Sequence, residues 1–101
     1  MQYQLILQFD EYLLSYDDMI ELENKLERRL EGLAEVDGHD IGSGEINYFI
    51  FTDNPKSHFA HLQTDVIDPE LQKNLRAAYR KIEEEVFYVL WPKGLSVFKV
   101  A

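Results

Sequence analysis

Three histidines, His39, His58 and His61, and a run of acidic and small residues from Asp37 to Glu45 are the side chains best suited to chemistry. His39 is followed by Asp40, so a carboxylate stands beside an imidazole that titrates near neutrality. Such a pair can serve as an oriented general base. No serine, cysteine or second basic group is fixed beside it by spacing. His58 and His61 are three residues apart, which puts both on one face of a helix, where a nearby carboxylate would complete a metal site. The established helical zinc motif spaces its histidines by four with a glutamate between them. That pattern is missing, so the sequence assigns no metal and no cofactor. Gly42-Ser43-Gly44 can turn backbone N–H groups toward an anion. It lies between two strands, however, and lacks the lysine and spacing of a P-loop. Asp37, Asp40 and Glu45 would also repel a phosphate. Asp37, His39, Asp40, Ser43 and Glu45 are therefore the ligand-binding candidates, and no residue is named catalytic.

The elements that must position this run follow from periodicity. Tyr3, Leu5, Leu7 and Phe9 alternate with Gln2, Gln4 and Gln8, the pattern of a strand with one buried face. Ser15, with Asp18 three residues on, starts a helix. Met19, Leu22, Leu26, Leu30 and Leu33 form its apolar stripe, and Gly32 helps to end it. Residues 34–41 form a second, irregular strand, and Gly42-Ser43-Gly44 turns it into a strong third strand, Ile46 to Thr52. Thr52, Asp53 or Asn54 caps a brief helix begun at Pro55. Asp68-Pro69-Glu70 starts another, with Leu71, Leu75, Ala78 and Ile82 at helical spacing and Glu83-Glu84-Glu85 at its end. Val86 to Trp91 and Leu95 to Val100 read as a closing hairpin about Pro92-Lys93-Gly94. These elements predict one α+β domain over residues 1–101. The simplest packing is ferredoxin-like, an antiparallel sheet with helices on one face and an added C-terminal hairpin.

Asp37-Gly38-x-Asp40-x-Gly42-Ser43-Gly44, followed by Asn47, Phe49-Ile50 and Thr52-Asp53-x-Pro55, resembles a motif of small uncharacterised bacterial proteins of this length. The likeness covers about a fifth of the chain. It implies no activity and names no catalytic residue.

Composition narrows the partners. The net charge is −9 over 101 residues. Thirteen acids and three bases fall in residues 1–54, against six acids and seven bases in residues 55–101. An acidic half repels nucleic-acid phosphates and anionic membranes alike. The third strand carries aromatics, but Ser43 stands where an RNA-recognition domain has a basic residue, and the net charge is wrong. There is no cysteine, which suits a reducing compartment, and no apolar run long enough to span a bilayer. A cytoplasmic location is expected. Two strands, Ile46–Phe51 and Val86–Trp91, are apolar on both faces while helices can cover only one. The lead expectation is thus an interaction or regulatory module acting as a homodimer through the sheet face. Its contacts would come from Tyr48 and Ile50, or from Phe49 and Phe51, with Tyr88 or Trp91. The alternatives are an immunity-like inhibitor whose acidic face blocks a basic protein, and a ligand-binding protein or enzyme using residues 37–45.

Overall fold

Alternation carries the first strand, β1 (Tyr3–Asp10), through the interior of the molecule, where it has a partner on each side. A computed structural model describes residues 1–100. After β1 come a 3-10 turn (Glu11–Leu13), α1 (Tyr16–Leu30), β2 (Glu35–Gly42), β3 (Glu45–Thr52), α2 (Pro55–Asp65), the four-residue α3 (Pro69–Gln72), β4 (Arg76–Lys81) and β5 (Tyr88–Trp91). The five strands form one sheet in the order β2-β3-β1-β4-β5, with every neighbouring pair antiparallel. The class is α+β, as periodicity predicts.

One face of the sheet carries the helices. Leu5, Leu7 and Phe9 of β1, with Ile46, Tyr48 and Ile50 of β3, pack under Met19, Leu22, Leu26 and Leu30 of α1 and Phe59 and Leu62 of α2. Ser15 caps α1 as expected, its Oγ accepting the Asp18 N–H at 3.1 Å. Gly32, at φ +77°, lies in the left-handed region just beyond the helix. Leu33 follows it and is exposed, outside the stripe assigned to it. The β2–β3 loop is Ser43-Gly44, and both residues have positive φ (54° and 79°), the signature of a tight hairpin turn.

The chain departs from expectation after residue 72. Leu71, Leu75, Ala78 and Ile82 do not extend a helix: α3 ends at Gln72, and Arg76–Lys81 is a central strand paired with β1. Arg76, Ala78 and Arg80 point one way and Ala77 and Tyr79 the other, a period of two that fits the same residues. β1 needs a neighbour on that side, and its tertiary pairing overrides a weak helical spacing. The closing hairpin is also different. β5 pairs with β4, and Leu95–Val100 forms no strand. That segment crosses the helix-free face, where Phe98 packs on Ile6 and Ala78 and its ring lies 5.2 Å from that of Phe87.

Candidate functional site

The turn after β2 holds Asp37 to Glu45 in place, but alternation sends their side chains apart. His39 is opposite Tyr48 in the β2–β3 register, so it faces the helices, where Nδ1 lies 2.5 Å from Glu23 Oε1 on α1. Its ring sits 6.1 Å from the ring of Tyr48. The Tyr48 hydroxyl donates to the Met19 carbonyl at 2.8 Å. Burial, then the charge of Glu23, raises its pKa well above the ordinary tyrosine value. His39 is thus oriented by a carboxylate, as a general base would be, yet it is hydrogen-bonded to no serine or threonine. Asp40, opposite Asn47, faces the other side of the sheet and accepts from Asn47 Nδ2 at 3.2 Å. Asp37 is exposed at the register shift between Val36 and Gly38, and Ser43 is exposed in the turn. Glu45 accepts from Arg76 at 3.3 Å. The five candidates do not converge on one pocket.

Two of them, Asp40 and Glu45, join a polar chain across the helix-free face whose other members periodicity does not single out. Gln8, buried at 2% exposure, donates to Asn47 Oδ1 at 3.0 Å and to the Lys99 carbonyl at 2.8 Å. Arg76 Nε donates to Gln8 Oε1 at 2.7 Å, and its Nη atoms donate to the Asn74 carbonyl, Asp10 and Glu45. Asn74 donates to Asp10 Oδ2 at 2.8 Å and accepts the Asp10 N–H at 2.7 Å. The Asn74 hydrogen bond, followed by the hydrogen bond and charge of Arg76, holds the Asp10 pKa below its ordinary value against the opposing effect of burial. The chain runs from β2 to β4 and ends under the C-terminal segment. Four of the five N–H donors of Arg76 are used, and the network is a set of pins between strands.

His58 and His61 do not make a metal site. His58 is buried, with Nδ1 2.7 Å from Thr52 Oγ1, which also accepts the Asn54 N–H. Burial, then the positive groups His61 and Arg29, holds its pKa below the usual histidine range. His61 is exposed. Among the described residues, no group of three or more His, Asp or Glu is placed to hold a metal, and no buried polar side-chain atom lacks a partner.

The interface candidates also divide. Tyr48 and Ile50 are fully buried beneath the helices, so they cannot reach a second copy. Parity decides this, because the helix-facing residues of β3 are the even-numbered ones. Phe49 and Phe51 face the other side and are partly exposed. Tyr88, exposed on β5, stacks on Tyr79 with centroids 5.3 Å apart, and the Trp91 indole donates to the Gln72 carbonyl at 3.3 Å. No family model matches the chain, and no characterised protein and no solved structure matches it either.

Proposed function

We propose that the protein is an acidic protein-interaction module that docks onto a basic surface of another protein. The observation that carries this is the placement of its charge. Asp17, Asp18, Glu27 and Glu31 on or beside α1, and Glu35, Asp37 and Asp40 on the neighbouring edge strand β2, are exposed and form no ion pair. The bases nearby are mostly spent: Lys25 pairs with Glu21 and Arg29 with Asp65. Fields of one sign steer encounter and select partners of the other sign. An edge strand carrying acids and a bulge is also closed to pairing with a like-charged copy of itself. The order of helices and strands supports a ferredoxin-like reading with β5 as an added edge strand, a fold that by itself names no activity. A cytoplasmic location belongs to the same reading, in keeping with a chain without cysteine.

A ligand-binding or enzymatic role for residues 37–45 has less support, because His39 and Asp40 face opposite sides of the sheet. A homodimer remains as a second reading on one observation. β5 is a free edge of four uncharged residues, Tyr88–Trp91, whereas β2 is acidic. Light scattering at micromolar concentration separates that reading from a monomer, which scatters as 11.9 kDa. The main reading is tested by affinity capture with the wild-type chain and with the charge-reversed variant Glu35→Lys/Asp37→Lys/Asp40→Lys. It predicts a basic partner, released by salt and lost by the variant. Equal capture by both baits, or a partner that is itself acidic, would contradict it.

A further inference from the structure

We propose that the groove between the start of α1 and the α2–α3 connection receives the apolar side of a basic amphipathic helix from the protein partner. The proposal rests on the acidic-module reading and names the point of the surface where contact becomes specific. The groove has a volume of about 340 Å³, at the small end of the ~300–1,000 Å³ range of ligand pockets, so it suits a few side chains better than a cofactor. Leu14, Leu22, Val66 and Leu71 line it, and Leu13 at its mouth is 38% exposed. Its polar lining is Asp18, Glu21, Asp68 and Glu70, with Lys25 as the one base. Lys25 is bonded to Glu21 at 3.6 Å, and Lys73 to Glu70 at 3.1 Å, which leaves Asp18 and Asp68 with no cation against them.

An apolar floor with an acidic rim calls for the complementary pattern in one occupant, leucine-like side chains flanked by lysine or arginine. α1 bounds the groove on one side, and the α2–α3 connection with the short α3 bounds it on the other. An amphipathic helix laid into an apolar groove is a recurring way to fill such a space. A second copy of this chain is a poor occupant. Its own net charge is −9, and the bases of its α1 are mostly paired within the chain. An RNA or an anionic membrane would meet the same repulsion.

The test uses a labelled peptide of about four helical turns, built of Leu and Lys at helical spacing. Two controls accompany it, one with Ser for Leu and one with Glu for Lys. Fluorescence anisotropy reads affinity, and amide shifts of the wild-type protein read location. The Leu/Lys peptide binds, both controls bind more weakly, and the shifts centre on Leu13–Leu22 and Val66–Leu71. Leu13→Ser/Val66→Ser, which leaves the charge unchanged, weakens binding about tenfold, or ~1.4 kcal/mol. The wild-type shift map keeps the proposal open to refutation even if that variant folds poorly. Equal binding of the Leu/Lys and Ser/Lys peptides, with shifts confined to Glu35–Asp40, would overturn the groove while leaving the acidic-module reading standing. Failure of both lysine peptides to bind would overturn both.

Discussion

Arg76 is the residue whose removal would be felt over the widest area. Its guanidinium meets a glutamine oxygen, a backbone carbonyl and two carboxylates contributed by β1, β3 and the entry to β4. Arg76→Ala would leave Asp10, Glu45 and Gln8 short of donors. Losing hydrogen bonds to charged groups costs about 1.5–3 kcal/mol, which urea denaturation would detect. Arg76→Lys would recover only part of this, since an ammonium cannot reproduce the fork. Asp10 adds a pH signature. Its pKa is depressed in the folded state, so its contribution is present above the ordinary value of 3.8 and is lost as pH falls through the lower folded value. Asp10→Asn should therefore flatten the acid limb of the stability curve, read from urea midpoints between about pH 5 and 2. An unchanged acid limb would show that Asp10 does not supply it. None of this network was legible in the sequence. Arg76 meets Asp10 across 66 positions, and Asn74 meets it across 64, through strand pairing that no local pattern announces. The Asp37–Glu45 run was legible as unusual, and strand alternation alone sends His39 and Asp40 to opposite faces. Only the register with β3 shows that His39 is the one facing the helices.

Elements with a strong period were legible where their burial was simple. The stripe of α1 is the clearest case: Met19, Leu22, Leu26 and Leu30 are all buried. Leu26→Ala should cost about 2–5 kcal/mol, the range for a buried leucine. Lys25→Ala breaks an exposed pair with Glu21 and should cost little, about 0.3–0.5 kcal/mol. Equal losses in thermal or urea unfolding would sink the assignment of the helix face. β1, β2, β3 and the turn at Ser43-Gly44 were legible for the same reason, each carrying a local pattern or a residue suited to positive φ. β4 was not, because Arg76–Lys81 satisfies a helical spacing and a strand alternation together, and only pairing with β1 decides between them. Leu95–Val100 misled in a different way. It has the composition of a strand, yet its work is to lay Phe98 over Ile6 and Ala78, a packing role that needs no ladder.

At the scale of the molecule, the covering of the second sheet face by the chain's own C-terminal segment removes much of the motive for pairing two copies face to face. What remains unbalanced is charge. Unpaired acids of the first half stand on α1 and on the edge strand β2, where Asp40 faces away from the helices, and no equal set of free bases stands beside them. Such a surface acts mainly on encounter: rim charges change association rates and their dependence on salt more than they change the final contacts. The Debye length shortens from about 30 Å at 0.01 M salt to about 8 Å at 0.15 M, so the effect should be strong at low salt and weak at high salt. The most direct measurement is the association rate of the captured basic partner, across that salt range, with the wild-type chain and with Glu35→Lys/Asp37→Lys/Asp40→Lys. The wild-type rate should fall steeply as salt rises, and the variant should associate more slowly at a rate that changes little. A rate that ignores both salt and charge reversal would contradict it.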